Sequence, residues 1–202
     1  MRKILTFAFA ALLGATLSGQ AAEIGKPAPD FSLPGLTAPA VTLAQYKGKT
    51  VVLEWVNEGC PFVHKHYGSK NMQSLQKKYT AKGIVWLSIS SSAEGKEGYW
   101  ADAKAAAAFK KNQKASMTDI LLDHDGKVGH AYRAKTTPHM FIVDATGTLV
   151  YAGAIDDKPS TNAADIGAAK NWVAQALNEI LAKKPVSVAE TRSYGCGVKY
   201  KD

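Results

Sequence analysis

The sequence predicts a single α/β domain in which helices flank a central mixed sheet. Short β-branched and apolar segments alternate with segments whose apolar residues recur at helical spacing, an order typical of parallel strands joined by helices. The last two strands, 139–143 and 149–154, are separated by hairpin turn residues and so add antiparallel strands. The chain has 202 residues, 46% of them hydrophobic, which is enough for one full core but short for two domains.

Residues 1–21 are predicted to be a secretory signal peptide. Arg2 and Lys3 give a basic start, residues 4–17 are almost wholly apolar, and residues 19–21 form a small-x-small cleavage site. The apolar run is short for a membrane span, and no second run follows. We therefore expect a periplasmic or otherwise exported soluble protein without stable membrane insertion, with an uncleaved N-terminal anchor as the alternative.

The mature domain is predicted to span residues 22–184 and to begin with a β-hairpin that contains the strand 41–43. Several prolines before residue 40 exclude a helix there. A C-terminal tail without periodicity, residues 185–202, follows the domain. Further strands are predicted at 50–56, 84–90 and 120–122, and helices at 61–79 (interrupted near Gly68), 99–114, 127–134 and 165–183.

The charged residues argue against a nucleic-acid partner. The net charge is +8, but the lysine pairs 77–78, 110–111 and 183–184 each fall near an expected helix end, where cations complement the helix dipole. Because no basic stripe with interleaved aromatic residues is present, we expect no nucleic-acid binding. No cofactor is expected either.

Cys60 is the strongest candidate for a reactive group. It lies between the strand 50–56 and a helix that begins at Pro61, where open α/β sheets carry reactive groups. The helix end supplies unpaired N–H groups and a partial positive charge, which favour the nucleophilic thiolate. We therefore expect this sulfur to lie at a helix end open to solvent and to be anionic at neutral pH. An inert buried cysteine is the alternative.

The surroundings of Cys60 resemble the thioredoxin-like superfamily. Residues 53–61 (LEWVNEGCP) are similar to the active-site strand and loop of thioredoxins, and Thr136-Thr137-Pro138 is similar to their cis-proline loop. The resemblance covers about residues 25–183. It implies a thioredoxin-like fold, here with an N-terminal hairpin and an irregular C-terminal tail.

Two further segments resemble one branch of that superfamily. Residues 25–31 (GKPAPDF) resemble the opening of the redoxin, or AhpC/TSA, branch. Residues 57–67 (NEGCPFVHKHY), together with Tyr194-Gly195-Cys196, resemble peroxiredoxin-like bacterial proteins that keep one active-site cysteine. This resemblance implies thiol–disulfide exchange or peroxide-linked antioxidant activity.

The chain departs from both of these relatives at the cysteines. Cys60 matches the first cysteine of the thioredoxin Cys-x-x-Cys motif, but Val63 stands in place of the second. Peroxiredoxins carry their cysteine in a Pro-x-x-x-Thr-x-x-Cys frame, and here Leu53 and Asn57 replace the proline and the threonine. Neither an ordinary peroxidase nor a self-contained dithiol exchanger is therefore expected.

Cys196 is the candidate for the missing second thiol. It is flanked by glycines in the tail, which we expect to be mobile, and a nucleophilic cysteine needs a resolving thiol to release a mixed disulfide. The extended chain from Pro185 to Cys196 could span about 36 Å, whereas the radius of gyration of such a domain is ~16 Å. A resolving thiol, a permanent structural clip and a free tail thiol all remain open, because sequence does not give connectivity.

The resemblance implies roles for three more residues. Glu54 matches the position of a buried acid that relays protons in thioredoxins, and its burial would raise its pKa. Pro138 is expected to have a cis peptide bond, which places the backbone of Thr137 beside Cys60, where it can pair with a bound chain. The alternatives are an edge-exposed Glu54 and a trans proline at a strand start.

A metal site is the competing hypothesis. Cys60 and His64 are four residues apart and share a helical face, and copper and zinc accept such ligands. Exported copper-delivery proteins of the Sco type have this fold and use Cys-x-x-x-Cys, and His139 beside Pro138 could supply a third ligand. The alternative is that His64 and His66 are solvated side chains.

The sequence therefore predicts an exported thiol-based oxidoreductase. Cys60 is expected to attack, Cys196 to resolve, Glu54 to handle protons, and Thr137 and Pro138 to dock the partner. The partner would be a protein thiol or disulfide or a peroxide, with an external reductant. A periplasmic copper carrier and a binding module stapled by a Cys60–Cys196 bond are the alternatives.

Overall fold

A computed structural model describes residues 21–201 of the chain. Apart from Ala21, the predicted signal peptide lies outside these residues, so it stays a prediction. Within the described part, no helix is both long and apolar enough to cross a bilayer.

The central sheet has five strands, and four further short strands pair outside it. In chain order the strands are β1 (Ser32–Leu33), β2 (Val41–Thr42), β3 (Val51–Trp55), β4 (Val85–Ser90), β5 (Asp119–Leu122), β6 (Thr136–Thr137), β7 (His139–Val143), β8 (Leu149–Gly153) and β9 (Cys196–Gly197). The helices are α1 (Pro61–Gly68), α2 (Asn71–Thr80), α3 (Ala103–Gln113), α4 (Lys127–Ala131) and α5 (Trp172–Leu181), with 3-10 turns at Ala44–Tyr46 and Ala163–Ala168.

The order of strands across the central sheet is β5-β4-β3-β7-β8. β3 and β4 are parallel, as are β4 and β5, whereas β7 and β8 are antiparallel to their neighbours. β1 and β2 form the separate N-terminal hairpin. The predicted α/β fold with a mixed sheet is therefore confirmed.

The two faces of the sheet bury different sets of apolar residues. Because side chains alternate along a strand, Val52 and Val56 of the β3 segment face one way and Leu53 and Trp55 the other. The first face packs against α1, α2 and α5 and includes Cys60. The second face packs against the N-terminal hairpin. The reactive-cysteine candidate thus lies on the helix-covered face.

Two helix predictions are corrected at their beginnings. The predicted helix 165–183 starts only at Trp172, because the Asn171 side chain accepts a hydrogen bond from the Ala174 N–H at 2.7 Å and caps it. The helix predicted from residue 99 starts at Ala103, since Asp102 caps it in the same way. The predicted break near Gly68 is confirmed, with α1 ending there and α2 beginning at Asn71.

The C-terminal tail, which we expect from the sequence to be mobile, is packed against the domain in the described residues. Ala152 donates a backbone hydrogen bond to Ala189 at 3.0 Å, and β9 pairs antiparallel with β6. Near the end of the chain, the Tyr200 hydroxyl donates to the carbonyl oxygen of Ala134 at 2.8 Å. These contacts join the tail to residues far away in the sequence. Hydrophobic periodicity within the tail does not predict them.

Candidate functional site

The turn between β3 and α1 is held by one buried asparagine. Asn57 accepts a hydrogen bond from the Gly59 N–H at 2.8 Å and donates to the carbonyl oxygen of Glu97, also at 2.8 Å. A Cβ at Gly59 would lie 2.6 Å from Cγ of Glu97, so a larger residue at this position would displace that exposed side chain. Cys60 follows as the N-cap residue of α1, with Pro61 at the first helical position. The turn therefore fixes the sulfur at the helix N-terminus.

The expectation that Cys60 lies open to solvent is wrong. Its side chain is 0% exposed. β9 lies antiparallel to β6 with Cys196 directly opposite Thr137, and Thr137 is itself in contact with the Cys60 sulfur. Cys196 of the tail, which no local pattern predicts at this position, packs against the core cluster that contains Cys60.

Thr137 and Pro138 flank the sulfur, as the resemblance implied. The Thr137–Pro138 peptide bond is cis. The Cys60 thiol donates to the carbonyl oxygen of Thr137 at 2.9 Å. Thr137 Oγ1 is buried without a hydrogen-bond partner of good geometry, so it is free to turn towards a thiolate. Thr137 therefore presents an acceptor for the thiol and a donor for the thiolate.

The pKa of Cys60 lies below its ordinary value despite the burial of the sulfur. Burial is the largest single influence and raises the pKa, but hydrogen bonds from Thr137, Cys196 and the Val63 N–H together outweigh it. The Cys60 sulfur does not form a capping hydrogen bond with α1. The backbone N–H of Val63, in the first turn of α1, nevertheless favours the thiolate form of Cys60. Protein donors, rather than water, stabilise the thiolate.

Cys196 shows the opposite shift. Burial, the hydrogen bond and negative charge of Cys60 and the charge of Glu97 together raise the pKa of Cys196 to about 11. Both cysteines are free thiols in this structure. The pair therefore divides into a sulfur that ionises readily and a neighbouring sulfur that keeps its proton.

Glu54 is fully buried on the same sheet face as Cys60, which excludes an edge-exposed carboxyl. Its two oxygens accept four hydrogen bonds, from Tyr67, Trp86, Ser88 and Gln76, at 2.7 to 3.3 Å. Burial raises the pKa of Glu54 more than these donors lower it. The carboxyl can therefore exchange a proton nearer to neutral pH than an exposed glutamate.

A buried polar chain anchors the tail beside α1. The Asn71 amide donates to His66 Nδ1 at 2.9 Å, so His66 Nε2 carries the proton and donates to the Tyr194 hydroxyl at 3.1 Å. Tyr194 in turn donates to Asp156. Tyr194 is only two residues before Cys196, so this chain holds the second cysteine in place. His66 is fully buried, so the expectation of a solvated side chain is wrong for it.

Sequence reasoning missed Asp156, Asn57 and Glu97. Of these three residues, only Asn57 has a local signal. It lies three residues before Cys60, where an asparagine is typical of a turn. The other two come from distant loops, and nothing in their neighbourhoods marks them.

The structure does not bring the three candidate metal ligands together. His139 lies on β7 on the second sheet face, packed against Phe141 with ring centroids 4.4 Å apart, whereas Cys60 faces the first. His64 is exposed, and its Nε2 contacts the carbonyl oxygen of Glu58. Within residues 21–201, no cluster of three or more His, Cys, Asp or Glu side chains has a metal-binding arrangement.

Comparison with known proteins identifies relatives for most of the chain. The sequence profile of the AhpC/TSA family matches residues 24–152. No curated protein gives a significant sequence match. A conserved uncharacterised protein from Geobacillus kaustophilus is 26% identical, with a TM-score of 0.74 over 89% of this chain and 93% of that one.

Two other solved structures have the same fold. A hypothetical protein from Sinorhizobium meliloti 1021 is 24% identical, with a TM-score of 0.73 over 90% of this chain and 97% of that one. A candidate thiol:disulfide interchange protein, DsbE, from Chlorobium tepidum is 26% identical, with a TM-score of 0.52 over 65% of this chain and 85% of that one. The fold around Cys60 is thus shared with thioredoxin-like proteins.

Proposed function

The chain belongs to the AhpC/TSA family, and we propose that within it this protein is an exported thiol–disulfide oxidoreductase. Cys60 is the nucleophile and Cys196 the resolving thiol. One observation carries the proposal: β9 places Cys196 beside Cys60, and the pKa of one sulfur is lowered while that of the other is raised. Such an asymmetric pair suits sequential attack, because only the thiolate is nucleophilic.

The first step is attack on a disulfide of a polypeptide partner. The Cys60 thiolate forms a bond to one partner sulfur, the partner's S–S bond breaks, and the departing sulfur takes the electron pair and the proton that Cys60 released. The product is a mixed disulfide. The lowered pKa of Cys60 raises the fraction of thiolate available for this step at neutral pH.

The second step releases the partner. Cys196 gives up its proton and attacks the Cys60 sulfur, so that a Cys60–Cys196 bond forms and the partner's second sulfur leaves and takes that proton. The partner disulfide is thereby reduced to two thiols, and the two cysteines are oxidised. An external dithiol reductant returns them to the thiol state, and the same steps in reverse oxidise a dithiol partner.

Glu54, Thr137 and Pro138 complete the proposed site. The raised pKa of Glu54 suits it to pass protons during these steps, although no contact joins its carboxyl directly to either cysteine. The Thr137 carbonyl and hydroxyl orient the Cys60 sulfur, and the Pro138 peptide bond places that carbonyl beside it. Export rests on residues 1–21 and would place the protein where disulfides persist.

The matched pair Cys60→Ser and Cys196→Ser tests this assignment. With the full mature chain and a protein disulfide as substrate, we expect Cys60→Ser to lose all turnover. We expect Cys196→Ser to form a mixed disulfide through Cys60 and to stop there, because the resolving thiol is missing. Mass spectrometry of the non-reduced protein detects the trapped adduct.

Different results would contradict different parts of the proposal. Turnover by Cys60→Ser would contradict the assignment of Cys60 as the nucleophile. An unchanged turnover rate in Cys196→Ser would contradict the resolving role of Cys196. Oxidation of Cys60 by hydrogen peroxide but not by protein disulfides would identify a peroxide-linked enzyme instead.

A further inference from the structure

A large cavity lies on the second face of the central sheet, whereas Cys60 faces the first. Its volume is about 1030 Å³, which is at the upper end of the range for pockets that hold small organic molecules. Residues 22–24 form one wall, and the Ala22 N–H donates to the carbonyl oxygen of Ala131 at 2.8 Å. Residues 190–193 form another wall, and the Thr191 N–H donates to the carbonyl oxygen of Ala152 at 3.1 Å. Segments near both ends of the mature chain therefore enclose a space that the thiol chemistry of Cys60 does not use.

The floor of this cavity is apolar. Phe141 and Leu149 line it and are buried members of the second-face core, and Ile24 packs against the same core. Tyr132 also lines the cavity, but its hydroxyl already donates to the carbonyl oxygen of Pro29 at 2.6 Å. This part of the lining therefore offers contact area for an apolar group.

One buried imidazole supplies a hydrogen-bond donor to the cavity. His139 lines the cavity and is only 7% exposed. Its Nδ1 accepts a hydrogen bond from the Lys135 N–H at 3.2 Å, so its Nε2 carries the proton. No described residue accepts a hydrogen bond from Nε2, and this atom is not sealed within the protein. Because nearly all buried polar groups in proteins have a partner, this N–H is available to an acceptor that enters the cavity.

The charged residues around the cavity include more cations than anions. Three cationic side chains line it against two carboxylates, namely Arg133, Lys135 and Arg192 against Glu23 and Glu190. No ion pair joins any of these five side chains to another described residue. Burial and the charge of Lys135 lower the pKa of His139 to about 4, so at pH 7 the imidazole is a neutral donor. The charged lining therefore favours an anion over a cation.

We propose that this cavity binds a small organic carboxylate that has an apolar body. One carboxylate oxygen accepts a hydrogen bond from His139 Nε2, and the negative charge lies among the cationic side chains of the lining. The apolar body packs against Phe141 and Leu149. This binding site is separate from the proposed thiol–disulfide site, because the two lie on opposite faces of the sheet.

Three probes that share an eight-carbon chain and differ in the head group test the preference for an anion. Octanoate, 1-octanol and octylammonium are titrated at pH 7 into the mature chain labelled with 15N. We expect octanoate to bind saturably at about 1 mM or below. Octylammonium should bind about 10- to 100-fold more weakly, with 1-octanol between them, because the charge-assisted hydrogen bond is lost. NMR shifts of the backbone amides of Phe141, Leu149 and Arg133 report occupancy of the cavity itself.

Two variants test the residues that would hold the carboxylate. His139→Phe keeps an aromatic ring but removes the donor, and Arg133→Glu reverses one charge of the lining. Each is expected to weaken octanoate binding about 10-fold or more. Lys104→Glu makes the same change of net charge on α3, outside the cavity, and should bind octanoate as wild type does. Since His139→Phe also removes the acceptor of the Lys135 N–H, Arg133→Glu decides the matter if that variant does not fold.

Three results would overturn the inference. They are the absence of saturable shifts at the cavity amides with octanoate at about 1 mM, octylammonium binding as tightly as octanoate, and an unchanged octanoate affinity in Arg133→Glu. Titration with 2-naphthoate distinguishes the two kinds of apolar body. Tighter binding of 2-naphthoate than of octanoate would identify an aromatic carboxylate as the ligand class, and the reverse order would identify a fatty acid.

Discussion

Replacing Glu54 by alanine is expected to lower the free energy of unfolding by about 3 to 6 kcal/mol, since its carboxyl accepts hydrogen bonds from four buried donors. Each buried donor left without an acceptor costs about 1 to 3 kcal/mol, and the vacated volume adds a cavity term. The Gln76 amide keeps a second acceptor in the Tyr67 hydroxyl at 3.1 Å, which limits the total. Urea unfolding of the reduced protein at pH 7 measures the loss.

Glu54→Gln is the matched control, because it keeps the side-chain volume and one acceptor oxygen. We expect a stability loss of about 1 kcal/mol or less at pH 7, since one oxygen can still serve Trp86, Ser88 and Gln76. If proton transfer through Glu54 is part of the reaction, this variant should slow thiol–disulfide exchange by about 100-fold while it remains folded. Exchange at the wild-type rate would limit Glu54 to a structural role.

The pH dependence of unfolding, compared between wild type and Glu54→Gln, tests the raised pKa of Glu54. Burial raises the pKa of Glu54 above 4.5, so folding is not penalised at low pH, where the carboxyl is protonated in both states. As the pH rises above 4.5, the unfolded chain ionises first, and the wild type loses stability. The stability of Glu54→Gln relative to wild type should therefore improve from pH 4.5 upward.

For the alanine variant, a free energy of unfolding equal to that of wild type would contradict the proposed contribution of the hydrogen bonds to the Glu54 carboxyl.

Local patterns sufficed for the fold and for the position of Cys60. β3 combines β-branched residues with burial on both faces, and Pro61 marks the helix start, so strand, turn and helix follow from neighbours in sequence. Glu54 was predictable for a related reason, because strand alternation places it on an apolar face. Each of these features depends on interactions within about ten residues.

The covering of the site was not predictable from local patterns. β9 pairs with β6 and places Cys196 against the cluster that buries Cys60. Tyr194 anchors β9 through His66 and Asp156, which lie far apart in the chain. Hydrophobic periodicity contains no information about such pairings, and a two-residue strand is too short to show alternation. The open helix end was therefore a reasonable expectation, and long-range pairing overturned it.

Acidification from pH 7 to pH 4 is expected to destabilise the fold by about 3 kcal/mol through His66 alone. Burial lowers the pKa of His66 to about 4, an effect that the charge of Lys65 reinforces and that the attraction of Asp156 does not offset. Between pH 6.5 and 4 the unfolded chain takes up a proton that the folded chain refuses, so stability falls as the pH falls. A difference of roughly 2.5 units corresponds to ~3 kcal/mol. Burial lowers the pKa of His139 to about 4 as well, so it adds a similar amount.

The change of wild-type stability with pH does not isolate the contribution of His66, because the raised pKa values of Glu54 and Asp123 act in the opposite direction. Comparison of wild type with His66→Gln isolates it. We expect the variant to lose about 3 kcal/mol of the stability change between pH 7 and pH 4, whatever its stability at pH 7. His64→Gln, two residues away on the same helix but exposed, should keep the wild-type slope. Since His66 donates to Tyr194, the same protonation disturbs the anchor of the tail. A wild-type slope in His66→Gln would contradict a neutral, buried imidazole at this position.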